Sequence, residues 1–224
     1  MLAAPYSPIT AFRYCSQLDR SYREQKAFDI TSSHCHIMSL TLTLLSFDHG
    51  ILRQVLDVLS DLATENAFDR FRPEMEEVSE FLFDFMDRYH HGREEIVVFP
   101  ISSEGASELP ATIDELIREH RRASELAQNI AAALHARDNE SLRENCLELV
   151  AHMRDHIKEE EDVVFPKLEI LLAGDKDFDA FERSQSYVKD NFGEFYPRDM
   201  EEFANRFQDA VWGKGVIKFS AFKD

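Results

Sequence analysis

The strongest constraint on the fold is an internal repeat, in which HHGREEIVVFP (90–100) aligns without gaps on HIKEEEDVVFP (156–166). The alignment pairs His90 with His156, Glu94 with Glu160, and Pro100 with Pro166. Upstream, FDHG matches REHR more loosely and pairs His49 with His120. The chain is therefore predicted to be a duplicated helical hairpin, each copy carrying one His and then a His-x-x-x-Glu motif.

Four long segments show helical periodicity and are separated by residues that break helices. They cover about 35–65, 72–99, 108–137 and 139–171. Pro73 and Pro110 fall where a first helical turn tolerates proline, and there is no convincing alternating strand pattern. We predict an all-α, up-down-up-down four-helix bundle over residues 35–171. Residues 1–34 and 172–224 are predicted to be an N-terminal extension and a helical C-terminal extension.

The amino-acid composition limits the binding partners and the cellular compartment to be expected. The formal net charge of −18 argues against nucleic acid and anionic membranes, because both bind basic surfaces. The stretch IMSLTLTLLSF is too short to span a bilayer, and the N-terminus shows no secretory signal. Cys15, Cys35 and Cys146 are odd in number and widely spaced, which favours the reducing cytoplasm. A small-molecule partner is expected, with a monomer or homodimer as the assembly.

Helical geometry selects one histidine from the pair at the start of the first repeat. At about 100° per residue, His90 shares an apolar face with Phe83, Met86 and Val97, and Glu94 follows one turn later. His91 falls instead among charged residues such as Asp84, Asp87 and Glu95, so His91 and Glu95 are expected at the surface. The other three repeat histidines, His49, His120 and His156, also lie on apolar faces, at matching heights in an up-down-up-down bundle.

Four histidines and two glutamates are thus expected to converge in the core. Buried carboxylates are costly unless they are paired or bind metal. Four neutral imidazoles with two bridging carboxylates would give two metal ions roughly three ligands each, and this N/O set suits iron or manganese. A single buried histidine is more often a hydrogen-bonded core residue, but six residues at one level with a repeated spacing favour the metal site.

The pattern of His49, His90-x-x-x-Glu94, His120 and His156-x-x-x-Glu160 resembles the haemerythrin-like (HHE) cation-binding domain family. The resemblance covers about 35–171. It implies a four-helix bundle holding two non-haem iron ions, with histidines as terminal ligands and Glu94 and Glu160 as bridges.

Two departures from the oxygen carriers of that family concern the ligands. The carriers have a second histidine one turn after the third-helix histidine, where this chain has Ser124, so an open position on one iron is expected. Their fourth helix carries an aspartate five residues after the histidine, which makes Glu161 an alternative to Glu160. His152, one turn before His156, is interpreted as a core-lining residue, a hydrogen-bonding partner of the site or an extra ligand.

Three functions fit these residues. The leading hypothesis is a di-iron protein that binds or reacts with O2, NO or peroxide, as a sensor, carrier or scavenger. A di-iron oxidase or oxygenase acting on an organic substrate is the second, so enzymatic activity stays open. Iron storage or iron-centre repair is the third, although the repair proteins carry an N-terminal cysteine pair that this chain lacks. A ferritin-like site is disfavoured because that family uses Glu-x-x-His pairs.

The flanks carry no assignable motif. His34, Cys35 and His36 could form a metal or redox thiol site, but a helix start capped by Ser32 or Ser33 is favoured. The aromatic-rich C-terminal segment predicts two short helices and a final extended piece. We expect it to pack over one end of the bundle or to form a dimer contact, with a lid over the metals as the alternative.

Overall fold

A computed structural model describes residues 39–104, 109–216 and 218, and no strand occurs among them. The first and third bundle helices are α1 (Leu40–Glu65) and α3 (Leu109–Ala136). The second and fourth, α2 and α4, cover the predicted segments in several consecutive pieces. The all-α four-helix bundle is therefore confirmed. None of the helices in the described part of the chain combines the length and apolar character needed to cross a membrane.

Helices α2 and α4 change pitch along their length. Helix α2 is α-helical over Arg72–Phe81, π-helical over Leu82–His91 and Glu94–Val98, and 3-10 helical over Phe99–Glu104. Helix α4 is α-helical over Asn139–Glu159, π-helical over Glu160–Val164 and α-helical again over Phe165–Leu171. The π turns that begin at Glu94 and Glu160 fall at equivalent positions of the repeat. The long π segment before them occurs in α2 alone of these two helices.

The apolar core is divided into two clusters along the bundle. One includes Leu52, Leu59 and Phe85 and lies toward the C-terminal end of α1. The other includes Leu45 and Val97 and lies toward the N-terminal end of α1. His49 stands between Leu45 and Leu52 in α1, so the polar residues of the repeat occupy the level between the two clusters.

Helix α1 begins at Leu40, with Ser39 as the N-cap residue. The predicted start at Cys35, the caps Ser32 and Ser33, and the His34 to His36 group lie outside the described residues. The buried Asp177 carboxylate accepts hydrogen bonds from the Ser39 hydroxyl (2.7 Å) and from the backbone N–H groups of Leu40 (2.8 Å) and Thr41 (3.1 Å). The C-terminal segment thus satisfies the free N–H groups of the first turn of α1.

The C-terminal segment forms two helices of 17 residues each, α5 (Asp175–Asn191) and α6 (Tyr196–Trp212). They follow the groove between α1 and α2 from one end to the other. Tyr187 donates a hydrogen bond to the Arg88 carbonyl (2.7 Å), Phe203 packs on Phe81 (5.2 Å between ring centroids), and Trp212 donates to Asp61 (2.9 Å). The expectation that this segment covers one end of the bundle was wrong, because its apolar stripe matches the side groove.

Replacing Asp177 by alanine should destabilise the fold by about 1–2 kcal/mol, the usual cost of losing an N-terminal cap. The free energy of unfolding, measured with urea on the metal-free chain, tests this. Asp179→Ala is the matched control, since Asp179 lies on the same helix and is exposed. Equal stability of the two variants would show that Asp177 does not anchor α5 to α1.

Candidate metal centre

The structure brings all six predicted site residues together in the middle of the bundle. Each is buried, with at most 2% of its surface exposed: His49, His90, Glu94, His120, His156 and Glu160. The first three come from the first hairpin (α1 and α2) and the other three from the second (α3 and α4). The His-x-x-x-Glu spacing places each glutamate one turn after its histidine, on the same face.

Each of the two glutamates faces both pairs of histidines. For Glu94, Oε1 lies 3.6 Å from His90 Nε2, and Oε2 lies 3.5 Å from His120 Nε2. For Glu160, Oε2 lies 3.1 Å from His49 Nε2, and Oε1 lies 3.4 Å from His156 Nε2. One oxygen of each carboxylate therefore points to the His49 and His90 pair, and the other points to the His120 and His156 pair.

The polar atoms at the centre are buried without adequate partners. The Nε2 atoms of the four histidines and all four carboxylate oxygens of Glu94 and Glu160 lack a well-formed hydrogen bond. Leaving these polar atoms unsatisfied in a core would cost roughly 1–3 kcal/mol each. These donor atoms fall into groups within 4.8 Å of one another, a spacing that could hold metal ions. The donor set therefore fits bound metal cations.

Electrostatics lead to the same conclusion. Burial and the nearby charge of Glu160 raise the pKa of Glu94 well above its ordinary value. Burial would also raise the pKa of Glu160, but the surrounding imidazoles of His156, His120 and His49 outweigh it and lower the pKa. Two carboxylates this close are costly to keep ionised together in a core, and a bound cation would offset that cost.

A carboxylate holds the second ring nitrogen of each histidine. The Nδ1 contacts are His49 with Glu161 (2.8 Å), His90 with Asp48 (3.4 Å), His120 with Glu95 (2.7 Å), and His156 with Glu119 (2.8 Å). Histidines that bind metal commonly donate their other N–H to a carboxylate, which fixes the tautomer and turns the free nitrogen toward the ion. All four imidazoles are therefore oriented as metal ligands.

Glu161 illustrates how such a partner is kept ionised. Burial would raise its pKa, but hydrogen bonds from His49 and Arg53 outweigh that effect and hold the pKa at about 2. Its carboxylate is committed to His49 Nδ1 and to Arg53, so Glu161 orients a histidine and does not replace Glu160 among the central oxygens.

These four carboxylates occupy equivalent positions in the two copies of the sequence repeat. Glu95 is equivalent to Glu161, and Asp48 to Glu119. Asp48 and Glu119 hold the histidine of their own hairpin, whereas Glu95 and Glu161 hold a histidine of the other hairpin. The sequence analysis assigned this orienting role to none of the four, since it considered Glu161 only as an alternative to Glu160 and expected Glu95 at the surface. The acidic residue directly before His49 and His120 and the doubled glutamates of the repeat were signals for them.

Two phenylalanines of the repeat complete the surroundings of these histidines. Phe99 stacks on His120 (5.7 Å between ring centroids) and Phe165 stacks on His49 (5.5 Å). Both phenylalanines precede the repeated prolines, and both reach across to the other hairpin. The repeated VVFP sequence therefore supplies an apolar wall on two opposite sides of the centre.

Asp48 requires a countercharge because it is only 2% exposed. Arg93 supplies it through a direct ion pair, and the Arg93 guanidinium also lies 4.2 Å from the ring centre of Tyr89. Burial lowers the pKa of Arg93 to about 10, which leaves it charged at neutral pH. A buried Arg93–Asp48–His90 chain thus leads to the candidate metal centre.

The expectation that His91 lies at the surface was wrong. It is 1% exposed, its ring stacks on that of His120 at 3.8 Å, and neither of its nitrogens has a hydrogen-bond partner. Conversely, Phe83, assigned to the inner face, is 51% exposed. The reason is the π segment Leu82–His91: its i→i+5 bonds reduce the turn per residue below 100°, so a regular helical wheel misplaces the side chains. Glu95 is exposed as expected.

His152 takes the role of a hydrogen-bonding partner of the site. Its Nε2 lies 2.9 Å from the Glu119 carbonyl oxygen, and no metal-binding group of the described residues includes it. It joins α4 to α3 beside the residue that holds His156.

The Hemerythrin HHE cation binding domain family model matches residues 40–168, more than half of the chain. The chain belongs to this family. No curated protein and no solved structure gives a significant match. The family binds cations, and the clustered His and Glu side chains of this chain could hold metal ions.

Glu119→Gln should lower the metal affinity about 10- to 100-fold, the usual effect of weakening a carboxylate that supports a ligand histidine. Competition with a chelator measures the affinity. The control is Glu115→Gln, on the same helix but exposed and paired only with Arg118 among the contacts described. Equal affinities in the two variants would argue against a supporting role for Glu119.

Proposed function

We propose that this chain is a non-haem di-iron protein that binds or reacts with O2, NO or peroxide, as a sensor, carrier or scavenger. The observation that carries the proposal is the orientation of Glu94 and Glu160, each with one oxygen toward each histidine pair. In this proposal His49 and His90 would hold one ion, His120 and His156 would hold the other, and Glu94 and Glu160 would each offer an oxygen to both.

The chemistry of the donor atoms supports iron, with manganese as the nearest competitor. Imidazole nitrogen and carboxylate oxygen suit both metals, whereas structural zinc sites commonly use thiolates. Cys146 belongs to none of the candidate groups, and burial raises the pKa of its thiol to about 12. Bound iron would supply redox chemistry and open coordination positions for a small ligand.

The surroundings of the centre favour a small ligand over a large organic substrate. The ligand atoms are enclosed by the bundle, and Phe99 and Phe165 line the centre with apolar rings. Two surface clefts border α6, one beside Trp212 and the other beside Phe203. Neither is lined by a residue of the proposed metal centre, so they do not offer a substrate pocket next to the ions.

The side chains of the protein have three tasks in this proposal. The carboxylates at Nδ1 hold the imidazoles in one tautomer, the apolar rings limit the access of water, and the bundle core would keep the ligand side chains in fixed positions. Gaseous ligands are small and weakly polar, so they can enter such a core through modest side-chain motions.

Metal analysis combined with anaerobic and aerobic optical spectra tests the proposal. We expect about two iron ions per chain, in line with two ligand sets, and a change in the spectrum when reduced protein meets O2 or NO. Protein that carries no iron after anaerobic loading, or whose spectrum responds to none of O2, NO and peroxide, would refute it. Oxygen consumption that depends on an added organic substrate would instead support an oxidase.

A further inference from the structure

Helix α2 has a long π segment that α4 lacks at the equivalent position. Residues Leu82–His91 and Glu94–Val98 of α2 are π-helical, whereas the equivalents of the first segment, 148–157 in α4, are α-helical. Gly92 directly follows the long segment. π turns inside helices are rare and are frequent at functional sites. A contact specific to α2 is therefore expected to hold this segment in its π-helical form.

One hydrogen bond of a regular α-helix is missing where the long π segment ends. In an α-helix the Gly92 N–H would donate to the Arg88 carbonyl, four residues earlier. Here its acceptors include the Asp87 carbonyl, five residues earlier, and do not include the Arg88 carbonyl. The Arg88 carbonyl has therefore lost its α-helical donor in the turn that carries His90.

Helix α5 supplies another donor to this carbonyl. The Tyr187 hydroxyl donates a hydrogen bond to the Arg88 carbonyl at 2.7 Å. Gly92 makes the approach possible, because a Cβ atom at this position would collide with the Tyr187 hydroxyl group. The repeat places Lys158 of α4 at the position of Gly92. The tyrosine and the glycine thus form a contact for which α4 does not have the matching glycine.

A second residue of α5 contacts the shorter π segment. Arg183 stands one turn before Tyr187 on the same face of α5, and it donates a hydrogen bond to the Ile96 carbonyl (3.2 Å). Arg183 and Ile96 are both exposed, whereas Tyr187 is half-buried, so we expect the Tyr187 contact to have the larger effect. Helix α5 therefore donates to one carbonyl in each π segment of α2.

We propose that Tyr187 is a positioning residue of the metal centre, because its hydrogen bond to Arg88 holds the π turn that directs His90 inward. This inference rests on the proposed metal binding by His90 and Glu94. Without the bond the turn can return to α-helical pitch, which rotates His90 relative to Glu94. Tyr187 lies beyond residues 40–168, which the family model matches, so the C-terminal helix acts on the centre without offering a ligand.

Two substitutions break this contact from opposite sides. Tyr187→Phe removes the hydroxyl and keeps the ring, while Gly92→Ala keeps the hydroxyl but displaces it. In each we expect the affinity for iron(II), measured anaerobically by competition with a chelator, to fall about tenfold, the lower end for groups that orient ligands. Alanine favours helices more than glycine does, so weaker helix formation cannot explain a loss in Gly92→Ala. The double variant should lose little more than either single one, because one contact is shared.

Amide hydrogen exchange of the metal-free protein tests the backbone itself. Amides protected by a well-held turn exchange slowly, and local opening removes that protection. We expect a loss of protection at residues 88–93 in both single variants, with no metal present. A readout without metal separates the effect on the π turn from any effect on the ions.

Asp177→Ala is the matched control, because it weakens the attachment of α5 to α1 away from the π segments. It should keep the wild-type iron(II) affinity and the protection at residues 88–93. If Asp177→Ala lowers the affinity as much as Tyr187→Phe, the cause is docking of α5 in general and the inference fails. It also fails if the wild type binds iron and both single variants match it in affinity and exchange. A wild type that binds no iron would instead refute the proposed function.

Discussion

Glu160→Ala is expected to remove most of the bound metal. Glu160 faces both histidine pairs, so in the proposed di-iron centre its loss would take a ligand from each of the two ions at once. We expect the apparent affinity to fall by more than about 100-fold, beyond the range seen for residues that only support ligands. Metal content after dialysis against a weak chelator measures the effect. His156→Ala should also lose most of the iron, because it removes an oriented ligand of one ion.

The matched control is Glu159→Ala, which removes an exposed carboxylate next to the site. It should keep the wild-type metal content. Circular dichroism must show that the helices of Glu160→Ala persist, so that metal loss is not a consequence of unfolding. Wild-type metal content in folded Glu160→Ala would reject the bridging role.

The second large effect is expected from Arg93→Met. This variant leaves the Asp48 carboxylate buried without its countercharge, and breaking a buried ion pair from one side costs about 3–5 kcal/mol. Urea unfolding of the metal-free protein measures this loss. In the loaded protein we also expect weaker metal binding, because Asp48 then adjusts its position or its protonation and no longer holds His90 in place.

Two further variants distinguish this explanation from a general loss of packing. Arg53→Met breaks the partly exposed pair with Glu161 and should cost less than about 1 kcal/mol. The double variant Arg93→Met with Asp48→Asn removes both charges and should regain more than half of the stability lost by Arg93→Met. A double variant as unstable as the single one would show that the charge on Asp48 is not the cause.

The helices and the convergence of six polar residues could be predicted because both follow from periodic patterns. Each of His49, His90, His120 and His156 sits on an apolar face, and duplication of His-x-x-x-Glu fixed the matching glutamates. His91 could not be placed correctly, because the prediction assumed one constant rotation per residue. A π segment changes that rotation without leaving an obvious signal in the side chains.

The sequence predicted that the C-terminal segment forms helices, but it did not predict where these helices pack on the bundle. Their position depends on contacts between residues far apart in the sequence, such as Asp177 with the first turn of α1 and Tyr187 with Arg88. Periodicity identifies the apolar stripe of a helix but not the groove that will receive it. Gly92 shows how specific the docking is, since a Cβ atom there would lie 2.4 Å from the Tyr187 hydroxyl oxygen.

Each hairpin supplies residues that contact a histidine of the other hairpin, and this bears on how the candidate metal centre arose by duplication. Glu95 and Phe99 of the first hairpin contact His120 of the second. Glu161 and Phe165 of the second hairpin contact His49 of the first. A single hairpin could therefore complete such a centre only by pairing with an identical copy, in which both ions would be equivalent. When both copies belong to one chain, a residue of one copy can be substituted while the equivalent residue of the other is kept. The difference between His91 and Ile157 is a substitution of that kind.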